Sequence, residues 1–164
     1  IDTRMTRAYA RAAPGERAVG KVPWGHWEQL TVIGALGLEG VVASMSIAAA
    51  TTGAVFLAFV EQALLPALRA RPEAVVVMDN LGVRKAERIR RAFETVKVPY
   101  RYLPSYSPDF NPIEPCWSKL KGGLRAKAAR TLEALEAELG PALATITAQD
   151  AQGWFRLCGY SPPN

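Results

Sequence analysis

The stretch Ala74-Val75-Val76-Val77-Met78-Asp79-Asn80-Leu81-Gly82 decides the fold: apolar residues, with three valines in a row, run into an acid and then a turn. Short apolar runs bounded by turn residues read as strands buried on both faces of a mixed or parallel sheet. Upstream, residues 29–38 (QLTVIGALGL) and 41–48 (VVASMSIA) are also strand-like, and Glu39-Gly40 between them reads as a hairpin turn. Thr51-Thr52-Gly53 offers a helix start, and residues 55–70 then carry Phe56, Phe59, Val60, Ala63 and Leu64 on one face. Downstream, residues 85–96 read as a basic amphipathic helix with Ile89, Phe93 and Val96 inward, and residues 99–103 as another short strand. The turn-rich run PSYSPDFNP leads into a helix over 112–128, with Ile113, Cys116, Trp117, Leu120 and Leu124 as its apolar stripe. Thr131 caps a helix bearing Leu132, Leu135, Leu139 and Leu143, and a last helix bears Trp154, Phe155 and Cys158. Residues 1–27 are loop-like, punctuated by Pro14, Gly15, Gly20, Pro23 and Gly25. This order predicts one layered α/β domain over 1–164, with the helices of 131–164 packing on it.

Composition agrees. The chain has 164 residues, 49% hydrophobic and 21% charged, which suits one domain with a real core and argues against disorder. The longest apolar stretch, around residues 55–68, is broken by Glu61, Gln62 and Pro66, so no membrane-spanning helix and no membrane partner are expected. Two cysteines, Cys116 and Cys158, lie in apolar helical patterns and read as buried free thiols, as in a cytoplasmic protein. The opening IDTRMTRAYAR lacks the apolar core of a secretory signal, and without an initial Met the chain reads as a piece of something longer. The net charge of +5 is concentrated: residues 84–130 carry 12 Lys+Arg and 4 Asp+Glu. A basic middle on an acidic remainder suggests a polyanion, most simply nucleic acid, although solvated helix faces would give the same count.

Two acids stand out. Asp79 closes the apolar strand, where α/β proteins place their sites; alternatively it caps its own turn through the backbone. Glu114 lies at N3 of a helix that Asn111 would cap and Pro112 would open, the spacing of a capping box. The same position faces the positive end of the helix dipole, which keeps a carboxylate ionised and suits it to magnesium. His26, between Trp24 and Trp27, reads as a loop residue packed between aromatics rather than a DNA contact.

VVVMDNLGVRK followed by YRYLPSYSPDFNPIEPCWSKLK resembles the second half of a DDE transposase catalytic domain, in particular the bacterial insertion-sequence branch of the mariner-like superfamily. Tyr106, Ser107, Pro108, Asp109, Asn111, Pro112, Ile113 and Glu114 match that family's pattern, and 34 residues separate Asp79 from Glu114. RMTRAYARAAPGERAVGKVPWGHW resembles the segment after the first catalytic strand, so the likeness covers essentially the whole chain. Two positions depart: Ser105 stands where Pro is usual, and Arg84 where His is usual.

The resemblance implies a ribonuclease H-like mixed sheet flanked by helices. It implies a transposase that cleaves and transfers DNA strands at transposon ends, with Asp79 and Glu114 as second and third acids of a catalytic triad. Such a triad holds two divalent ions, Mg2+ or Mn2+, about 4 Å apart, against double-stranded DNA of the transposon ends and target. It further implies a homodimer and a bacterial, nucleoid-associated setting. The family's first acid lies on an apolar strand. Asp2 is the only candidate here, and the expectation is that this central strand ends upstream of Ile1 and is missing. A catalytically inactive remnant that only binds DNA or dimerises is therefore the alternative. Arg84, Lys85, Arg88, Lys119, Lys121 and Arg125 are the expected phosphate contacts, with Lys127 and Arg130 nearby.

Overall fold

The computed structural model describes residues 1–7 and 9–161. Strands β1 (Thr31–Gly37) and β2 (Gly40–Ile47) form an antiparallel hairpin in which Gly37 faces Gly40. The turn is therefore Leu38-Glu39, one residue earlier than expected. Gly40 explains the shift: its φ of +121° is open to glycine and strained for other residues. A register irregularity between Ala35 and Leu36 bends β1 near this end.

Helix α1 (Gly53–Phe59) is capped by the Thr52 hydroxyl, which accepts from the Val55 N–H. It passes through a π-helical turn (Val60–Leu64) into α2 (Leu65–Leu68). Pro66 supplies no N–H to the preceding turn, and the widened turn, in which the Leu65 N–H reaches the Val60 carbonyl, accommodates it.

β3 (Val76–Met78) and β4 (Tyr100–Tyr102) pair in parallel, Val76 opposite Tyr100 and Met78 opposite Tyr102. A 3-10 turn (Gly82–Lys85) and α3 (Glu87–Thr95) make the crossover. The basic helix expected from residue 85 thus divides in two, and Val96 falls beyond its end and is exposed. α4 (Ile113–Lys127), α5 (Leu132–Ala144) and α6 (Ala148–Leu157) complete the chain.

Two apolar cores lie on either side of the hairpin. Ile33 packs with Phe56, Phe59, Val60, Leu64, Met78, Ile89 and Phe93. Leu30 packs with Leu120, Leu124, Leu135 and Leu139, and Val32 joins that second core. Successive side chains of a strand point to opposite faces, so residues 32 and 33 serve different cores. β3 does not follow the expectation of burial on both faces: Met78 is buried, whereas Val75 and Val77 are exposed. The ladders explain this. Among the described residues β1 pairs only with β2 and β3 only with β4, giving two separate two-stranded sheets. Between them lies a cavity of about 760 Å³ lined by β1, β3, Phe56, Phe59 and the start of α4.

The described residues among 1–27 are irregular as expected, with one exception. Ile1 and Leu30 exchange backbone hydrogen bonds of 2.9 and 3.1 Å, and Asp2 forms an antiparallel bridge with Gln29. This short ladder runs directly into β1.

Candidate functional site

β3 ends in the cavity, and Asp79 follows it. Its Oδ1 accepts from the Leu81 N–H at 3.2 Å, so the turn-capping role is real. The same carboxylate lines the cavity and forms an ion pair with Arg84. Next to it the Asn80 amide donates to Ser105 Oγ at 2.8 Å, tying the loop after β3 to the loop after β4. Ser105, standing where the resemblance leads one to expect Pro, thus supplies an acceptor that Pro lacks. The other end of that amide, Asn80 Oδ1, is buried without a hydrogen-bond partner.

Glu114 comes from a different element. It is exposed, lies in the first turn of α4 and lines the same cavity as Asp79. The capping-box reading does not hold: α4 starts at Ile113 after Pro112, with no side-chain cap. The contrast is α6, where Thr147 and Asp150 form a complete capping box. Glu114 is left free of that duty, at the electropositive end of a helix of 15 residues.

The two acids are oxygen donors of the hard kind that magnesium takes, which fits a divalent ion. Among the described residues no group of three Asp, Glu, His or Cys side chains gathers around one point. Asp2 is not with them. It lines a smaller, separate cavity with Gln29, Trp117 and Lys121 and caps its own turn through the Arg4 N–H at 2.9 Å.

The cations divide into two groups. Lys119 is held by Asp150 at 2.5 Å, Lys127 by Glu138 at 3.2 Å, and Arg130 donates to the Thr3 and Met5 carbonyls, so these three brace the fold. Arg84 is spent on Asp79. Lys85, Arg88, Lys121 and Arg125 have no carboxylate partner among the described residues; Lys85 lies 5.8 Å from the Tyr102 ring centre. His26 is exposed rather than packed between its neighbours: Trp24 is fully exposed, and Trp27 is covered by Arg4 at 4.1 Å. Cys116 and Cys158 are buried free thiols, and burial pushes the Cys116 thiol up to about 11. No described helix is long and apolar enough to cross a membrane.

Sequence reasoning missed the Arg84–Asp79 pair. The signal was there: Arg84 lies five residues after Asp79, on a turn that folds the chain back. It also missed Gly34, which lets the Trp117 indole lie against β1; a Cβ there would stand 2.8 Å from Trp117 Cη2.

An aspartate closing a parallel strand and a glutamate opening a helix line one cavity beside an antiparallel hairpin, and the solved structures that share this fold make it a ribonuclease H-like α/β domain. The chain belongs to the DDE superfamily endonucleases, whose sequence profile matches residues 1–136. Solved structures share the fold. The Mos1 transposase paired-end complex with left transposon end is similar at 19% identity and a TM-score of 0.72, over 93% of this chain and 46% of that one. The pre-cleavage Mos1 transpososome is similar at 18% and 0.69, over 93% and 47%. The catalytic domain of Mos1 mariner transposase is similar at 20% and 0.65, over 80% and 67%. The chain spans about half the length of the transposases in those complexes. No curated protein sequence matches it.

Proposed function

We propose that this chain is the catalytic part of a transposase that cuts double-stranded DNA at transposon ends and joins it to a target. The observation that carries the reading is that Asp79 and Glu114, with 34 residues between them in sequence, line one cavity. Asp79 and Glu114 hold divalent ions, Mg2+ or Mn2+, which would supply charge neutralisation and polarisation at the scissile phosphate. Asp79 is fixed by its strand and by the Leu81 N–H. The Asn80–Ser105 hydrogen bond keeps its loop registered with the loop that leads to Glu114. Lys85, Arg88, Lys121 and Arg125 take backbone phosphates, positioning the duplex without reading its sequence.

The third acid comes from a strand seated in the cavity between β1 and β3. Three observations support this: each of those strands lacks a second ladder partner, the cavity walls are largely apolar, and the Asp2–Gln29 ladder points along β1.

A second reading is a DNA-binding or dimerising remnant without catalysis, favoured by the lack of a three-acid group among the described residues. Magnesium-dependent nicking of a transposon-end duplex separates the two. The catalytic reading predicts nicking that falls at least about a hundredfold in Asp79→Asn and in Glu114→Gln and survives Asp2→Ala. Salt-sensitive duplex binding without nicking in Mg2+ or Mn2+ would establish the remnant. Loss of nicking in Asp2→Ala would move the third acid to that residue.

A further inference from the structure

The Asp79 carboxylate already has a cation. Arg84 forms an ion pair with its Oδ1, and both side chains line the cavity that Glu114 enters. Arg84 is not a loose surface residue like its neighbour Lys85. Its side chain is 24% exposed, its guanidinium lies 5.2 Å from the Phe56 ring centre, and its carbonyl accepts from the Tyr102 hydroxyl at 2.9 Å. Yet its pairing is incomplete, because Nε is buried with no hydrogen-bond partner.

We propose that Arg84 is a built-in counter-ion for Asp79, occupying the carboxylate that a divalent ion would take, so that metal loading proceeds by displacing a guanidinium. This rests on the reading of Asp79 and Glu114 as metal ligands. An arginine stays charged at any pH the protein meets, so it cannot yield the carboxylate by losing a proton. A histidine, usual at this position in the resembling family, is largely neutral above pH 7 and would offer no such competition. The unpaired Nε means that the guanidinium gives up a partial arrangement when it moves. Arg84 thus sets the divalent-ion concentration at which the site fills.

The test is Mn2+ binding, read as the loss of the free-ion electron paramagnetic resonance signal at pH 7.5. It compares the unaltered chain, Arg84→His, Arg84→Met and Asp79→Asn, with circular dichroism to confirm folding. Arg84→His and Arg84→Met are expected to bind Mn2+ about two- to fivefold more tightly, the range into which a partly exposed ion pair converts. Asp79→Asn is expected to weaken binding, and Asp79→Asn combined with Arg84→Met to show no gain. Binding that Asp79→Asn weakens but both Arg84 variants leave unchanged or weaken would overturn the counter-ion role alone. Binding that is absent throughout, or indifferent to Asp79→Asn, would overturn the metal site and the counter-ion role with it. If one Arg84 variant does not fold, the other decides.

Discussion

At Gly34 the backbone of β1 passes close beneath the indole of Trp117, and any side chain larger than hydrogen meets it. Gly34→Val is expected to lower stability by about 1–3 kcal/mol by overpacking, measured by urea unfolding. Trp117→Ala in the same background should relieve part of that cost, since the two sites share one contact. Three residues before Trp117, Glu114 makes no such structural demand. Its replacement by Gln removes charge without removing a cap, so Glu114→Gln should change stability by less than about 0.5 kcal/mol. An unchanged melt with lost nicking is the signature of a functional acid; a destabilised chain would return Glu114 to a structural role. Sequence spacing could not separate these possibilities, because N3 of a capping box and a ligand on a first helical turn are the same position. Only the helix start at Ile113, after Pro112, distinguishes them.

The elements that carry the site are braced from behind. α4 bears Glu114 at its start and is fastened to α6 through Lys119 and Asp150. The Lys119 ammonium, aided by the Thr147 N–H and hydroxyl, holds the Asp150 carboxyl down at about 2, against an ordinary 3.8. A carboxyl with a lower pKa in the folded chain stabilises it fully above the ordinary value. That contribution disappears as pH falls from about 4 towards 2. Melting temperatures between pH 5 and pH 2 should therefore fall less steeply in Asp150→Asn than in the unaltered chain; parallel curves would show that the latch carries no weight. The helical elements were legible in the sequence because apolar spacing states them directly: Leu120, Leu124, Leu135 and Leu139 are buried as their periodicity requires. β3 was legible as a strand but not in its burial. Its valines show that they can face apolar surroundings, and nothing in them states whether a neighbouring strand is there to provide them. The π-turn before Pro66 was likewise hidden, since a proline announces a break and not how a helix absorbs it.

Over the whole molecule, the described residues form two sheets and two cores, and the cavity between β1 and β3 is lined by Asp79, Glu114 and Arg84, while Lys85, Arg88, Lys121 and Arg125 lie outside that lining. Charge concentrated in residues 84–130 was plain from composition, but its division was not: Lys119, Lys127 and Arg130 brace the fold, and only coordinates separate them from Lys121 and Arg125. Replacing Lys121 and Arg125 with Ala together should reduce the salt slope of duplex binding by about 1.8, roughly 0.9 per lost phosphate contact. Replacing Lys127 should leave the slope unchanged, and equal effects from both sets would remove the distinction. The central claim is that Asp79 and Glu114 share a divalent ion, and anomalous diffraction from crystals of the chain grown with MnCl2 tests it most directly. The account predicts a manganese peak within ligand distance of both carboxylates, absent in Asp79→Asn. Manganese bound elsewhere, or the two carboxylates turned to different surfaces, would contradict it.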